Sequence, residues 1–381
     1  MDFRFQKIIF AATLFISLQS LGAQRQPALS PPLAPPANGS LFSSNESLRL
    51  RLTAPLSQLF SYKKEGYTAK KKSVDGVIAY EASNHRMIEI PVKIHLKGFS
   101  SLVYCPFPKL ELKFDDTKTA NTLFAGTKTV DLNTHCAEAN DESVETYFRA
   151  SFNNHREAFI YRLMEILSIP TLKARPVFIQ YTDLGRDTKV MIQKDFFYQA
   201  FFLEDMADFR RRSQVKEIKG ANSPMKDFEI SRKPEIASQF QFQSVSESPQ
   251  LDKEDIARAA LFQFLVGNFD WFIKMNPHHT RSDSDSSNLW NTKIIETSEK
   301  KWFVLMQDFS LSGFVSGISY PLPINQITYD VVDKATQHKI QQSFLSKKSQ
   351  IEAALLILKD DPQFETLKDL MDKSLSKIEN L

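Results

Sequence analysis

The chain has 381 residues, and its 48 basic residues are nearly matched by 45 acidic ones, which leaves a formal net charge of +3. This balance argues against a nucleic-acid partner, so the basic run at 70–72 is expected to be a solvated hairpin edge rather than a binding patch. The length allows one large domain or two closely packed lobes around a sizeable core.

The first residues have the pattern of a cleavable signal peptide. Arg4 and Lys7 precede an apolar run over 8–18, and a weakly polar stretch follows that ends in the small residue Ala23. The apolar run is short for a bilayer span, so cleavage after Ala23 is expected, with an uncleaved membrane anchor as the alternative. No later apolar stretch reaches membrane-spanning length. We therefore expect an exported protein, periplasmic or secreted, with no membrane span after signal cleavage.

The predicted elements after this leader begin with a spacer and a strand-rich part. Residues 24–46 are rich in proline and predict a semi-rigid spacer. Residues 47–203 are predicted to be strand-rich. Apolar and polar residues alternate over 88–96 and 110–114, which is typical of antiparallel strands with one buried face. The spacing of apolar residues over 141–167 predicts one helix within this part.

The second part, 204–381, is predicted to be helix-rich. It opens with polar loops and short helices, followed by an apolar helix over 253–272. Short strands are expected near 288–295 and 302–306, and helices across 335–381. Strands first and helices later predict an α+β fold.

The two cysteines, Cys105 and Cys136, lie in the strand-rich part. An exported chain meets an oxidising compartment, so a single disulfide between them is expected. The alternative is a pair of buried thiols, because a sequence does not show whether two Cα atoms come close enough for a bridge.

The common catalytic motifs are absent from the sequence. With 11 glycines the chain has no phosphate-binding glycine loop, and it has neither G-x-S-x-G nor H-E-x-x-H. A group of polar residues remains in the second part: Asn268, Asp270, His278, His279, Asn288 and Asp308. Asp308 follows an apolar strand and precedes a small-residue turn, an arrangement that suits a magnesium site.

Four segments together resemble the spore coat protein H (CotH) family of atypical secreted kinases. They read HLKGFSSLVYCPFPKLELKF at 95–114, REAFIYRL from Arg156, LVGNFDWF around Asp270 and QDFSLSGF around Asp308. The resemblance runs from about Leu48 to Gly317. It implies a two-lobed protein-kinase-like fold, with an antiparallel-sheet N-lobe that contains one helix (47–203) and a mainly helical C-lobe (204–381).

The resemblance also implies roles for polar residues of the second part. Asp270 resembles the catalytic-loop aspartate, which orients the attacking hydroxyl in phosphoryl transfer. Asp308 resembles the aspartate that binds the metal. Asn288 is the candidate metal-binding amide, with His279 as the alternative. Without the resemblance, Asp270 could pair with Arg281 and Asp308 could simply form a turn.

The resemblance implies that a lysine of the first part binds the nucleotide. Glu157 resembles the helix carboxylate that positions this lysine, although by itself it reads as an ordinary exposed charge on a helix. Lys97, Lys109 and Lys113 are the candidates, and the sequence does not choose among them.

Ser310 departs from the family pattern, which has an acidic or amide residue at this position. The change removes an oxygen ligand and should weaken magnesium binding, unless the acidic residues Asp283 and Asp285 of an apparent insertion compensate.

The expected function is therefore an atypical kinase that transfers phosphate from ATP, with Mg²⁺ or Mn²⁺, to serine or threonine of an extracytoplasmic protein. The alternatives are a catalytically weak kinase-like protein that binds a partner or assists envelope or coat assembly, and a purely structural surface protein.

Overall fold

The computed structural model describes residues 40–98, 100–137, 141, 153–185, 195–218, 251–273, 289–318 and 324–381. All of these belong to one compact unit. The predicted signal peptide and most of the predicted spacer lie outside the described residues. Among the described residues, no helix is both long enough and apolar enough to cross a membrane.

Seven strands form a closed barrel. They are β1 (Leu48–Ala54), β2 (Ser73–Glu81), β3 (Met87–Leu96), β4 (Leu110–Lys113), β5 (Thr129–Asn133), β6 (Ala174–Asp183) and β7 (Tyr198–Glu204). Around the barrel the order is β1-β2-β3-β4-β5-β7-β6. Alternate side chains point inward, as the period of two predicts; in β1 these are the buried leucines 48, 50 and 52.

The predicted two-lobed protein-kinase-like fold with an antiparallel-sheet N-lobe is wrong for this chain. β1 pairs in parallel with β6, from Leu48 opposite Val177 to Ala54 opposite Asp183, and this pair closes the sheet into a barrel. Closure gives the backbone groups of both edge strands a partner, which an open sheet would leave to solvent. Alternation along a strand shows which face is buried, but it does not show which strand lies alongside.

The first part also holds more than one helix. α1 (Leu56–Ser61) continues into a 3-10 stretch, and α2 (Ser100–Tyr104) and α3 (Asp116–Thr119) are short. The predicted helix over 141–167 is described as α4 (Asn153–Ile166). Its side chains contribute to the core shared with the second part of the chain, because Phe159, Leu163 and Met164 pack there.

The second part consists mainly of helices. These are α5 (Met206–Ser213), α6 (Lys253–Leu265), α7 (Gly313–Ser316), α8 (Gln326–Tyr329), α9 (Lys334–Leu345), α10 (Lys348–Leu355) and α11 (Phe364–Glu379). Asp252 caps α6 by accepting a hydrogen bond from the Asp255 amide. The predicted helix over 253–272 ends early, and Gly267 follows in the left-handed conformation (φ 63°) that commonly terminates helices.

Two small sheets complete the second part. One has the order β12-β11-β8, with β8 at Lys216–Glu217, β11 at Thr292–Glu296 and β12 at Trp302–Met306. The other pairs β9 (Phe272–Ile273) with β10 (Leu289–Trp290). These sheets fix the ends of the two segments that carry Asp270 and Asp308.

Cys105 and Cys136 form a disulfide, as the sequence predicted, with their Cα atoms 4.7 Å apart. The Phe107 amide donates a hydrogen bond to the Cys136 carbonyl at 2.8 Å. The bridge therefore ties the segment that leads into β4 to the residues that follow β5.

His135 lies in a buried aromatic group with Phe107, Tyr181 and Tyr198. Its ring stacks on Tyr198 at a centroid distance of 4.0 Å, and its Nδ1 atom has no hydrogen-bond partner among the described residues. Burial lowers the pKa of His135 to about 3. The imidazole is therefore neutral in the folded protein at neutral pH.

Replacing His135 by phenylalanine is expected to flatten the acid dependence of stability. The folded pKa lies below the unfolded value of about 6.5, so the unfolded chain takes up the proton first as the pH falls. His135 alone should cost the wild type about 2 kcal/mol of unfolding free energy between pH 7.5 and pH 5. Urea denaturation at both pH values measures this difference. His338→Phe, at an exposed position, is the control. Equal pH dependence in wild type and His135→Phe would contradict the expectation.

Candidate functional site

Asp308 follows β12, and helix α4 holds the backbone at this point. The Asp308 amide donates to the Tyr161 hydroxyl at 3.2 Å, and the Phe309 amide donates to Glu157 Oε1 at 3.2 Å. Asp308 itself adopts the left-handed conformation (φ 58°), which is uncommon for a residue other than glycine. Two side chains of α4 thus fix a turn in which the candidate metal aspartate is held.

Lys109 lies beside Asp308. Its Nζ atom is 3.9 Å from Asp308 Oδ1, and its side chain is 30 % exposed. Burial lowers the pKa of Lys109, but the carboxylates of Asp308, Glu157 and Asp131 outweigh this effect and leave the pKa raised. Lys109 is therefore a cation surrounded by several acidic groups, directly before the first residue of β4.

Glu157 is buried beneath this pair, with only 4 % of the residue exposed. Burial raises the pKa of Glu157 to about 7, the Lys109 charge opposes the rise and the Asp308 charge adds to it. Glu157 is therefore not the exposed helix charge that the sequence alone suggested. It links the lysine to the turn after β12.

The side chains of the other two candidate lysines have different partners, although the Lys97 amide donates to the Lys109 carbonyl at 2.8 Å. Lys97 Nζ lies 3.1 Å from both Glu111 Oε2 and Asp131 Oδ1, and these two carboxylates raise the pKa of Lys97 against the effect of burial. Lys113 Nζ lies 2.9 Å from Glu111 Oε1. Both lysines therefore have ion pairs with carboxylates of the barrel strands.

Three carboxylates near Lys97 come close together. Oxygens of Glu111, Asp131 and Asp205 lie within 4.8 Å of one another. Desolvation raises the pKa of Asp131 to about 6, although the Lys97 charge lowers it. Because Lys97 contacts two of the three, the group is an ion-pair network that holds Lys97 in place.

Asp270 lies in a turn after α6 and is surrounded by hydrogen-bond donors. Its amide donates to Asn268 Oδ1 at 3.1 Å, and Asn268 in turn donates to Gln263 Oε1 at 2.8 Å. Trp290 Nε1 donates to Asp270 Oδ1 at 2.8 Å, and Asn291 Nδ2 donates to Oδ2 at 2.9 Å. Trp290 and Asn291 therefore fix the orientation of both carboxylate oxygens.

Asn291 is a site residue that the sequence analysis missed. The side-chain nitrogen of Asn291 also donates to the Asp270 backbone carbonyl at 2.7 Å. The backbone carbonyl of Asn291 accepts from the Gln307 backbone amide at 3.0 Å. Asn291 thus joins the Asp270 turn to the residue before Asp308. Asn288, His278 and His279 lie outside the described residues, so the assignment of Asn288 stays a prediction. The signal for Asn291 was its place next to a tryptophan directly before a strand.

Ser310 contacts the candidate metal aspartate directly, because its hydroxyl donates to Asp308 Oδ1 at 2.9 Å. Two side chains offer oxygen atoms that could bind a metal. The Asp308 carboxylate is partly exposed, and Asn291 directs its side-chain nitrogen, not its amide oxygen, toward Asp270. Carboxylate and amide oxygens are the ligands that Mg²⁺ takes in proteins. Asp308 and Asn291 therefore carry oxygen types that suit a divalent cation. Among the described residues, the acidic side chains whose oxygens lie within 4.8 Å of one another are those of Glu111, Asp131 and Asp205.

Comparison with known proteins adds little to this geometry. No protein-family model matches the chain, and no curated protein matches it. A solved structure of the proinflammatory kinase CtkA from Helicobacter pylori aligns with a TM-score of 0.39 and 10 % identity, over 71 % of this chain and 91 % of the kinase. A TM-score this low does not establish a common fold. The resemblance to the CotH family therefore stays a prediction.

Proposed function

We propose that this chain is an exported phosphotransferase that binds ATP with Mg²⁺ or Mn²⁺ and phosphorylates serine or threonine of an extracytoplasmic protein. The contact between Lys109 and Asp308, backed by buried Glu157, carries the proposal. It puts a cation for phosphate oxygens next to a carboxylate for a metal, which is the pair of groups that phosphoryl transfer requires.

In this proposal each residue has one role. Lys109 contacts the phosphates, and the charges of Asp308 and Glu157 favour the charged form of the lysine. Asp308 would hold the metal, which would supply charge neutralisation at the phosphates. Asp270 orients the acceptor hydroxyl and takes its proton as the bond from oxygen to the terminal phosphorus forms and the bond to the leaving ADP oxygen breaks. Trp290 and Asn291 keep the Asp270 carboxylate in its orientation.

The disulfide supports the exported part of the proposal, because disulfides persist mainly in oxidising compartments. The amino-terminal sequence pattern points the same way.

A second candidate function is nucleotide or partner binding without phosphate transfer, as in an envelope-assembly or coat-assembly protein. Ser310 favours it, because a hydroxyl stands where a charged or amide ligand would strengthen the metal site and because it occupies one lone pair of Asp308. Measurements of binding and of turnover separate the two candidates.

Replacing Asp308 by alanine is expected to abolish metal-dependent nucleotide binding. Calorimetric titration of residues 24–381 with ATP, with and without Mg²⁺ or Mn²⁺, measures the effect. We expect wild-type binding that requires the metal and at least a 100-fold loss in Asp308→Ala, about 2.7 kcal/mol. Asp75→Ala, which removes an exposed carboxylate of the barrel, is the control and should bind as the wild type does.

Release of ADP with dephosphorylated casein as the acceptor then tests transfer. Metal-dependent binding with casein phosphorylation supports the phosphotransferase. Binding without turnover on casein or on the chain itself supports the second candidate. Metal-independent nucleotide binding, or none, contradicts the phosphotransferase, and metal-independent binding without turnover supports the second candidate.

A further inference from the structure

Arg156 joins three segments that are distant in the sequence. From helix α4, its Nε and Nη2 atoms donate to Asp361 Oδ2 at 2.6 Å and Oδ1 at 2.8 Å, while Nη1 donates to the Val315 carbonyl at 3.0 Å. The Arg156 and Asp361 side chains are 4 % and 2 % exposed. The guanidinium is thus held in a fixed orientation by a two-point contact that a lysine could not make.

The same helix holds the turn that carries Asp308. Next to Arg156, Glu157 accepts from the Phe309 amide, and Tyr161 accepts from the Asp308 amide. Helix α4 therefore contacts residues 308–315 at both ends: at Asp308 and Phe309 through Tyr161 and Glu157, and at Val315 through Arg156. A shift of α4 along its axis would change all of these contacts together.

The packing around the ion pair leaves little room for adjustment. A Cβ atom added to Gly317 would lie 2.2 Å from Gln363 Oε1 and 3.1 Å from Arg156 Nη1. Asp361 Oδ1 also accepts from the Gln363 amide at 2.8 Å, so the turn between α10 and α11 presents its carboxylate rigidly. The position of Arg156 is therefore set from the carboxyl-terminal side of the chain.

A buried ion pair of this kind is a poor source of stability, since desolvation of both charges offsets their attraction. Its directional contacts fix geometry instead. The pair thus has the chemistry of a positioning device, and it lies one residue from the carboxylate that contacts the Asp308 turn.

We propose that Arg156 and Asp361 are positioning residues: the turn before α11 sets, through helix α4, the placement of Glu157 and of the Asp308 turn against Lys109. The role of Arg156 and Asp361 in placing helix α4 and the Asp308 turn follows from the contacts alone. Its consequence for phosphate binding rests on the proposed function.

The test uses a double variant, Arg156→Met with Asp361→Leu, which removes both charges and so leaves no buried charge unpaired. Hydrogen–deuterium exchange of peptides covering 307–318 reports the turn directly. We expect exchange there at least about tenfold faster than in the wild type, with the peptides of barrel strand β3 unchanged. The matched control is Lys373→Met with Asp369→Leu, an exposed ion pair on α11, which should alter neither region.

Arg156→Lys provides the second variant, because it keeps the charge and loses the two-point contact. Its exchange at 307–318 should fall between that of the wild type and that of the double variant. Unchanged exchange at 307–318 in the double variant would overturn the inference. An equal increase in all peptides would also overturn it, since that is the effect of a merely structural pair.

Titration with Mg²⁺-ATP separates this inference from the proposed function. We expect the double variant to bind at least about tenfold more weakly than the wild type, and the control pair to bind as the wild type does. If the wild type fails to bind Mg²⁺-ATP, the proposed function fails, while the exchange data still decide the positioning role. Local exchange that increases without any loss of wild-type Mg²⁺-ATP affinity would overturn the consequence for phosphate binding.

Discussion

Replacing Lys109 by methionine is expected to weaken Mg²⁺-ATP binding by at least about 100-fold. A hydrogen bond to a charged group typically contributes about 1.5–3 kcal/mol, and 100-fold corresponds to about 2.7 kcal/mol. The variant would remove the lysine charge that interacts with Asp308 and Glu157 and that is proposed to contact the phosphates. Calorimetric titration of wild type and variant under the same ionic conditions measures the loss.

Lys113→Met is the matched control for this experiment. Lys113 is the last residue of β4, the strand that Lys109 directly precedes, but its ion pair is with Glu111. Its removal should change Mg²⁺-ATP affinity less than threefold, about 0.7 kcal/mol. Equal losses in the two variants would mean that the lysines act only through general charge, and no loss in Lys109→Met would remove Lys109 from the nucleotide site.

The Lys109 variant also has a consequence that does not depend on nucleotide. The Lys109 charge lowers the pKa of Glu157 against the larger effect of burial, which leaves it at about 7. Without the lysine the pKa of Glu157 should rise further, so that this carboxyl stays protonated at neutral pH.

Replacing Phe309 by alanine is expected to destabilise the protein by about 3–5 kcal/mol. Phe309 is fully buried and packs edge-on against Tyr161 and Phe262, with ring centroids 5.4 and 6.0 Å away. Truncation removes these contacts and leaves a cavity between α4, α6 and the turn that carries Asp308. Urea denaturation at pH 7.5 measures the loss.

Phe269→Ala is the control, because Phe269 is 50 % exposed and its truncation opens no enclosed space. Its cost should stay within about 1 kcal/mol. A loss below about 1.5 kcal/mol in Phe309→Ala would mean that the site collapses around the missing ring, and that the turn after β12 is less rigidly packed than its contacts indicate.

Several elements could be predicted from the sequence because their signal is local. The alternation over 88–96 corresponds to β3 at Met87–Leu96, and the alternation over 110–114 corresponds to β4. The apolar helix from 253 begins where Asp252 caps it. Alternation and caps depend on neighbours within a few residues, so a sequence carries them directly.

Barrel closure could not be predicted in this way. The pairing of β1 with β6 depends on contacts between segments far apart in the chain, and a strand that ends a sheet has the same alternation as a strand inside a barrel. The family resemblance implied an antiparallel sheet in a two-lobed kinase-like fold, and this part of the prediction was wrong.

The candidate site was predictable in its residue types but not in its pairing. Lys97, Lys109 and Lys113 are indistinguishable along the sequence, whereas in three dimensions only Lys109, among these three, has its ion pair with Asp308. The burial of Glu157 depends on α4 lying between the barrel and the second part of the chain. Neither the Lys109–Asp308 ion pair nor the burial of Glu157 can be predicted from neighbouring residues in the sequence.

The parallel pairing of β1 with β6 also bears on how the chain folds. β1 is made early as the chain leaves the ribosome, but its partner β6 follows more than a hundred residues later. Until then one edge of β1 is an open template for another strand, and the barrel has a high contact order, which favours slow folding. The first strand to be synthesised therefore has an unpaired, aggregation-prone edge for a long interval. A chaperone that shields this edge would act on β1 before any other element.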